Sequence, residues 1–579
     1  MKLTTEQAAI VGSQGNIKIN AVAGSGKTST LIAYAQAHPK EKILYLAFNR
    51  SVKLEAIRKF SDAECDHVKI ETAHSLAYRA VVRSGRYRIQ QYDLTTYQIK
   101  DILNLKPYGE PLSEFVMAGH IGRFMSFFCN SNKAKVQELD YLSIVSGEEA
   151  REFVNKYYDE VLHQTRVLLA KMNRAEIEIT HDFYLKKFQL HHPILPYDCI
   201  LFDEGQDASP AMLDIFLQQD HATRVIVGDT HQQIYRWRFA INSLEQVPDF
   251  DDFYLTKSFR LNTHMSKLAE AVIGYKYLFE NQLKIAIEGI GTHSASKVKA
   301  TIGRTNLALL VKSIDMLVDN GEIENVYFEG NFSSYTYAKD GGSIYDVLNL
   351  YTDYKQGIRD KLIKSMSGLD DLEDYADKTD DVELKTIIEI VKKYGRKLPY
   401  LIKELKERHL PDSEKHKADM IFSTVHRCKG MEYDEVTLLD DFITQDAIEK
   451  LWNEEGTTIA DYISEEINLL YVAVTRTKNK LNIPEKLLPR GFDLPPTHHI
   501  KVMRTPKPAK KNPEKAPQQV PAYRKSQPSY ANKKWTDQEE NELLEMYYKS
   551  VSIEDMASYF ERTKGAVYFR LKKMGVLYD

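Results

Sequence analysis

The chain has 579 residues, of which 43% are apolar and 28% charged, and its formal net charge is −4. That length exceeds what one core holds and implies about three to five domains. The composition is that of an ordinary folded protein, and the near-balanced charge excludes a global basic field, so any nucleic-acid contact has to come from local patches. The cysteines Cys65, Cys129, Cys199 and Cys428 lie far apart with no C-x-x-C pair, which argues against a zinc site or a disulfide framework and fits a reducing compartment. No apolar run approaches membrane-spanning length and the first residues lack a signal core, so the expected location is cytoplasmic, with no membrane partner.

Along the chain, Ile17-Lys18-Ile19-Asn20 reads as a strand and Ser29-Thr30-Leu31-Ile32-Ala33-Tyr34 as a helix, with Ala21-Val22-Ala23-Gly24-Ser25-Gly26-Lys27-Thr28 between them. Strand, glycine-containing loop and helix is the setting of a phosphate-binding loop. Ala23, Gly24, Ser25, Gly26 and Ser29 would surround phosphate oxygens with backbone N–H groups, Lys27 would reach the β- and γ-phosphates, and the Thr28 hydroxyl would ligate Mg²⁺. Ala21 stands where the pattern usually begins with glycine, and a tight turn with a chance Gly-Lys-Thr is the competing reading.

Ile43–Phe48 is a buried-strand run, and residues from about 85 to 190 turn helical, as an insertion into the first α/β domain. The α/β pattern returns with Cys199-Ile200-Leu201-Phe202, followed at once by Asp203-Glu204-Gly205-Gln206-Asp207. Asp203, at a strand end, is placed to hold Mg²⁺, and Glu204 to orient and deprotonate an attacking water. After the strand Arg224–Val227, the segment Gly228-Asp229-Thr230-His231-Gln232-Gln233-Ile234-Tyr235-Arg236-Trp237-Arg238 sets polar groups able to sense a γ-phosphate, Gln232 among them, a few positions from an exposed-looking Tyr235, Trp237 and Arg238 cluster suited to stacking on a base.

A second α/β signal starts at Val298–Ile302 and resumes from about 418 to 495, split by a helical insertion over about 311–415. That insertion carries an acidic block at Asp370–Asp374 and a basic run, Lys392-Lys393-Tyr394-Gly395-Arg396-Lys397, which is either a solvated face or a DNA contact. Residues 496–534 read as a Pro- and Lys-rich linker. In the last segment Thr536 and Glu539 form a capping box, Ser552 is a candidate second cap, and Arg562-Thr563-Lys564-Gly565 leads into a basic helix from Ala566 to Met574, which suggests a helix-turn-helix unit.

These motifs, with Thr72-Ala73-His74-Ser75, Thr256-Lys257-Ser258-Phe259-Arg260, Ser423-Thr424-Val425-His426-Arg427-Cys428-Lys429-Gly430-Met431-Glu432-Tyr433 and Leu470-Tyr471-Val472-Ala473-Val474-Thr475-Arg476-Thr477, stand in the order found in superfamily 1 helicases of the UvrD/Rep/PcrA type. The chain resembles that family over about 480 residues, most closely its F-box-helicase-like and phage relatives. The resemblance implies that Gln7 reads adenine, that Phe259 stacks on it, that Arg260 contacts the γ-phosphate, that Glu432 lies near the ribose and that Arg476 is the arginine finger. It also implies that Phe48, Asn49, Arg50, Thr72, His74, Thr424 and His426 contact single-stranded DNA, with bases stacked by Phe48, Tyr235 and Trp237. Ser29 stands where many relatives have an adenine-stacking arginine, and Gly205 replaces the alanine of the usual Asp-Glu-Ala-Gln-Asp. The tail resembles Myb/SANT-like modules, with Lys564, Tyr568, Arg570 and Lys572 as candidate phosphate or groove contacts and a protein-docking role as the alternative.

The expected fold is therefore α/β. It comprises two RecA-like parallel-sheet domains (1–84 with 191–260, and 261–310 with 416–495), each with a mostly helical insertion (85–190 and 311–415), a linker at 496–534 and an all-α module at 535–579. The expected function is an ATP- and Mg²⁺-dependent DNA helicase moving 3′ to 5′, the polarity by resemblance only. Its partners would be single-stranded DNA and single-strand/duplex junctions, with duplex DNA or a protein at the tail, and its state a monomer or weak dimer. A translocase that strips proteins such as recombinase filaments from DNA, and an ATP-switched sequence-reading regulator, are the rival readings.

Overall fold

The computed structural model describes residues 2–83, 85–110, 112–280, 286–294, 297–319, 321, 323–336, 342–493 and 497–504, and in the C-terminal segment 535–536, 539, 542–543, 546–547, 553–560 and 562–573. The strands are β1 Ile17–Ala21, β2 Ile43–Ala47, β3 Val68–Thr72, β4 Cys199–Phe202, β5 Thr223–Gly228, β6 Asp251–Leu255, β7 Lys257–Ser258, β8 Glu288–Gly289, β9 Lys299–Gly303, β10 Val326–Phe328, β11 Met420–Thr424, β12 Tyr433–Leu438, β13 Thr477–Pro484 and β14 Ile500–Met503. Six of them form a first sheet in the order β3-β2-β4-β5-β1-β6, six more a second in the order β10-β11-β9-β12-β13-β14, and β7 pairs with β8. Every pairing in both large sheets is parallel.

Parallel strands need crossover helices on both faces, which is why β2 and β4 are buried at every residue and read as unbroken apolar runs. Because β4 neighbours β5 and β5 neighbours β1, the loops leaving their carboxyl ends lie side by side, and the strand order reverses there. Open α/β sheets bind ligands at such a point. The loops are Val22–Gly26, Asp203–Asp207 and Asp229–Gln233.

The stretch between β3 and β4 is helical, with Thr96–Leu103, Ser113–Asn130, Glu148–Asn173 and His181–Leu190. Between β10 and β11 lie helices including Ile344–Tyr351 and Leu369–Thr379. The two insertions touch. Nε2–H of buried His120 donates to the Lys378 carbonyl at 2.9 Å, Nδ1 lies 3.0 Å from the Tyr141 hydroxyl, and Tyr375 donates to Thr96 at 3.3 Å. Burial lowers the His120 pKa to about 4, so the ring bridges them as a neutral group.

Two expected boundaries differ from the strand positions. Val326–Phe328, inside the range assigned to the second insertion, is an edge strand of the second sheet, and its three residues are too few to register as a periodic pattern. Ile500–Met503, inside the expected linker, extends the sheet at β14, with Ile500 buried against β13; the prolines that follow mask it in composition. The rest of that linker, 505–534, and Ser552 lie outside the described residues.

The C-terminal unit has its own small core. Leu543, Met556, Ala557, Phe560, Val567 and Leu571 are buried together, flanked by Trp535. The Thr536–Glu539 capping box forms, with Thr536 N–H donating to Glu539 at 2.8 Å and Glu539 N–H to Thr536 at 3.2 Å. The last helix runs Lys564–Lys573, two residues earlier at its start than the sequence reading.

All four cysteines are buried and unpaired. Among the described residues no helix is long and apolar enough to cross a membrane.

Candidate active site and nucleic-acid interface

The loop after β1 is shaped to wrap a phosphate. Gly24 and Gly26 have φ of 73° and 83°, a conformation that costs a residue with a Cβ. A Cβ at Gly24 would stand 2.5 Å from Cβ of Arg260, so the loop and the strand-end segment Ser258–Arg260 pack too closely for anything but glycine. Ser258 donates to the Ala23 carbonyl at 2.7 Å, and Phe259 N–H donates to the Gly24 carbonyl at 2.9 Å. Ser25 is 2% exposed, and its hydroxyl has no hydrogen-bond partner among the described residues. A buried, unsatisfied hydroxyl in a glycine loop at a helix N-terminus fits a ligand rich in acceptor oxygens, which is the chemistry of a phosphate.

Lys27 opens the helix Lys27–Ala37 and meets Glu204 at 3.0 Å. Burial alone would lower the Lys27 pKa, but the carboxylates of Glu204, Asp203 and Asp229 outweigh it and hold the ammonium above its ordinary value. Glu204 is opposed by burial, yet Lys27 and Lys429 bring its carboxyl down to about 2. Asp203 goes the other way, pushed up to about 6 by burial and by the charge on Glu204. The neighbouring carboxylates thus differ in proton affinity, the stronger acid being the one beside lysine. Glu204 also has φ of 56°, a strained left-handed conformation for a residue with a side chain, and Gln206 donates to its Oε2.

Asp203 accepts from the Tyr45 hydroxyl at Oδ2 and from Glu204 N–H at Oδ1, 2.9 Å. Each oxygen keeps a further lone pair. Among the described residues no three His, Cys, Asp or Glu side chains gather into a metal cage. Asp203, with acceptor capacity left on both oxygens, fits a Mg²⁺ that arrives with its phosphate oxygens and waters, the usual mode for that ion, and Thr28 stands beside Lys27 in the first turn of its helix.

The residues expected at a nucleotide base are also brought together. Gln7, 1% exposed, is oriented by its Nε2 donating to Thr30 at 3.2 Å and its Oε1 accepting from Thr4 N–H at 3.0 Å. A Cβ on Gly26 would lie 3.2 Å from that Nε2 and 3.8 Å from the Phe259 ring, so amide, glycine and aromatic converge on one point. Phe259 is 44% exposed, a platform with a free face.

The second domain supplies the opposite wall. Arg260 pairs with Glu432 at 3.0 Å and donates to the Thr475 carbonyl at 3.3 Å. Arg476 is 1% exposed, and its guanidinium donates to the carbonyls of Val472 at 2.9 Å and Met431 at 3.3 Å and to the Thr475 hydroxyl at 3.1 Å. Burial, with Arg260 beside it, lowers its pKa to about 10, and it stays cationic. The expected finger is thus near the site but bonded to its own domain.

Three residues that the sequence reading left without a role join the walls. Tyr471 donates to Asp229 at 3.1 Å and accepts from Ala23 N–H at 3.3 Å. Asp229 in turn accepts from Gln232 Nε2 at 2.7 Å. Lys429 ion-pairs with Asp207, donates to the Gln232 carbonyl at 2.6 Å and sits 5.2 Å from the centroid of the Tyr235 ring. Tyr471 and Lys429 belong to quoted motifs, but nothing in their spacing told which cross-domain partner each meets.

On the far side of this seam stand the expected DNA contacts. Phe48 and Tyr235 stack with centroids 5.8 Å apart and planes at 23°, and Trp237 meets Tyr235 edge-on at 6.4 Å. The cluster is less open than its sequence suggests. Trp237 is 54% exposed under Arg238, but Tyr235 is half-buried, its hydroxyl donating to the His426 carbonyl at 2.9 Å. Tyr235 thus spans the domain seam, and a base enters beside it only if the rings part. Burial, with Arg304 nearby, takes the His426 pKa to about 3, so the ring is neutral, and Thr424 is buried beside it in the chain.

Asn49 and Thr72 cap the helices Arg50–Asp62 and Ala73–Ala77 by accepting from Val52 N–H at 2.9 Å and Ser75 N–H at 3.1 Å, with Arg50 exposed. Since β2 and β3 are adjacent, both helix N-termini open on the same edge, and a helix N-terminus favours phosphate. Buried Glu71 ties the two helices together through Lys53, Ser75 and Arg79, which no sequence pattern pointed to. His74 lies 3.8 Å from Asp182 on the first insertion. In the tail, Lys564 and Tyr568 are exposed, Arg570 is half-buried, and the Lys572 side chain lies outside what is described.

Comparison with known proteins places the geometry in context. Residues 3–247 match the UvrD/REP helicase N-terminal domain, and residues 126–485 match the UvrD-like helicase C-terminal domain. The chain is 30% identical over 516 residues to F-box DNA helicase 1 of Gallus gallus, covering 84% of this chain and 49% of that protein. It is 28% identical over 529 residues to F-box DNA helicase protein 1 of Schizosaccharomyces pombe, covering 83% and 57%. To a probable DNA helicase II homolog of Mycoplasma pneumoniae it is 24% identical over 317 residues, 48% of this chain and 42% of that one. The chain spans about half the length of the curated relatives it matches.

Proposed function

The chain belongs to the UvrD-like helicase family, and on that premise we propose that it is an ATP hydrolase that drives itself along single-stranded DNA in the 3′-to-5′ direction and separates duplex ahead of it. Residues 1–84 with 191–260 and 261–310 with 416–495 are the two motor domains, and 85–190 and 311–415 are their insertions, apart from the edge strand β10.

The observation that carries the reading is the Lys27–Glu204 pair under the glycine loop, 3.0 Å apart, with Arg260 reaching across the cleft to Glu432 and Arg476 buried on the opposite domain's side. A triphosphate offers Lys27 a stronger anion than one carboxylate. Once Lys27 turns to the phosphates, Glu204 loses one of the two lysine charges that depress its pKa and becomes a better base for a water proton. Mg²⁺ held by Thr28 and Asp203 would neutralise phosphate charge and orient the leaving oxygen. Phe259 and Gln7 hold the base, the latter through an amide already fixed by Thr4 and Thr30. Closure lets Arg476 exchange the Val472 and Met431 carbonyls for the transferring phosphoryl group, where a cation stabilises developing charge.

The same seam links nucleotide to strand. Lys429 holds the Gln232 backbone and Asp207 and lies against Tyr235, so a domain movement that shifts one shifts the other. DNA held across the Asn49 and Thr72 helix termini on one domain and Thr424 and His426 on the other would feel each cycle as a step, with each base stack worth about 1–3 kcal/mol.

Two measurements test the proposal. Glu204→Gln is expected to lower DNA-stimulated ATP hydrolysis by about 10²–10⁴-fold, the usual worth of a general base. Turnover within a few-fold of the unaltered protein would overturn the assignment. Strand displacement on 3′-tailed against 5′-tailed duplexes reads direction, and preference for the 5′ tail would reverse the polarity.

A further inference from the structure

Lys276 is a buried cation without an anion. It lies in the turn Gly274–Leu278, which follows the helix Thr263–Ile273 in the core around the second sheet, and it is 2% exposed. Among the described residues no carboxylate comes within ion-pairing reach of it. Glu280, Glu245 and Asp229 act on the ammonium only from a distance, and burial lowers its pKa in spite of them. The hydrogen-bond partner of its side chain among those residues is Nδ1 of His231, at 3.4 Å, on the turn Thr230–Gln232 that leaves the first sheet after β5. An ammonium has hydrogens to give and no lone pair, so Nδ1 is the bare, accepting nitrogen and the ring hydrogen sits on Nε2. Burial, with Lys276 beside it, takes the His231 pKa to about 3, so the imidazole is neutral.

We propose that Lys276 is a positioning residue for ATP hydrolysis, holding the His231 ring from the second domain and through it the turn that carries Gln232; the inference rests on the hydrolase reading above. That turn is gathered around one carboxylate. Asp229 accepts from His231 N–H at Oδ1, 3.0 Å, and at Oδ2 from Gln232 Nε2 at 2.7 Å and from Tyr471 at 3.1 Å. The His231 ring also meets Tyr471 edge-on with centroids 6.1 Å apart, so two groups of the second domain, Lys276 and Tyr471, bear on it. Lys429 already grips the Gln232 carbonyl at 2.6 Å. A movement of the second domain therefore reaches Gln232 by two routes, its own main chain and the imidazole before it. Stability does not account for the ammonium. A buried charge with no counter-charge costs free energy, and an apolar side chain of the same length would pack there with less penalty.

The test follows hydrolysis and melting of the full chain with Lys276→Met, with His231→Phe and with both, beside Glu204→Gln. Lys276→Met is expected to lower kcat with single-stranded DNA about 10- to 100-fold, the range for a group displaced by about 1 Å, with KM for ATP within about twofold. Its melting temperature is expected to hold or rise, because a buried charge is removed. His231→Phe is expected to lower kcat by the same factor and to lower the melting temperature, since it strands the ammonium. In the double variant the melting temperature is expected to return to that of Lys276→Met. Its kcat is expected to fall no further than in either single variant, as for two residues acting as one unit. Lys276→Met turnover within about twofold of the unaltered chain would overturn the role, as would losses that multiply in the double variant. A kcat loss that comes with a lower melting temperature in Lys276→Met would reduce Lys276 to a packing residue. If Glu204→Gln also turns over normally, the hydrolase reading falls and takes this inference with it; the expected loss in Glu204→Gln beside normal turnover in Lys276→Met overturns the role of Lys276 alone.

Discussion

On the first-domain side of the cleft, Lys27, Asp203, Glu204 and Asp229 already set one another's charge, and Gln206 and Tyr45 hold the carboxylates in place. On the second-domain side, Arg476 is bonded to carbonyls of its own domain, and Glu432 to Arg260, which reaches across from the first domain. The first wall is arranged before any ligand arrives, while the second has to give up existing bonds to act. Such a division suits a motor. A cleft complete at rest would hydrolyse ATP without moving, whereas a cation withheld until closure ties the chemistry to the domain motion.

The comparison can be broken at its strongest point by Arg476→Ala. Hydrolysis is expected to fall about 10³-fold or more, as for other withheld arginines, with nucleotide affinity within a few-fold. A large loss of affinity would mean that Arg476 helps bind ATP before closure. Gly24→Ala attacks the prepared wall instead. With φ of 73° and Arg260 Cβ 2.5 Å from the new methyl group, nucleotide affinity is expected to fall about 10²-fold by fluorescent-nucleotide titration, since loop and strand end must part.

Lys429→Met tests the seam that joins the walls. It leaves Asp207 buried and unpaired, its carboxyl already pushed up to about 6 by burial. Melting temperature is expected to drop by several degrees, and stimulation of hydrolysis by single-stranded DNA about tenfold, with DNA-free hydrolysis nearly unchanged. Equal loss of both rates would reduce Lys429 to a structural role. The smallest effect is expected from Tyr45→Phe, which removes a hydroxyl from Asp203 and leaves the ring in the core beside Phe60. Hydrolysis is expected to need a few-fold more Mg²⁺ while kcat at saturating Mg²⁺ is retained; an unchanged Mg²⁺ requirement would show that Glu204 N–H alone orients Asp203.

The strands that carry the site were legible because a buried parallel strand leaves a run of apolar residues, as at Ile43–Ala47 and Cys199–Phe202. Val326–Phe328 and Ile500–Met503 were not, since both are short edge strands and the second runs into proline-rich chain. The glycine loop and the paired acids were readable because their chemistry is local: a loop, a lysine and a strand-end carboxylate are neighbours in sequence or one turn apart. Tyr235 was misjudged as exposed, because burial against His426 depends on a partner 191 residues away.

Sequence alone determined that this chain has a glycine loop leading into a Lys-Thr helix start, a strand-end acid pair, two parallel-sheet domains and a basic terminal helix, all of which follow from short-range pattern. Only the tertiary structure decided that Lys27 pairs with Glu204, that Arg476 is bonded within its own domain, and that Lys429 and Tyr471 stitch the walls together. Those are contacts between residues some 180 to 450 positions apart, or choices among partners that one sequence leaves equally open, and only the order of strands within each sheet and the packing of the two domains select among them.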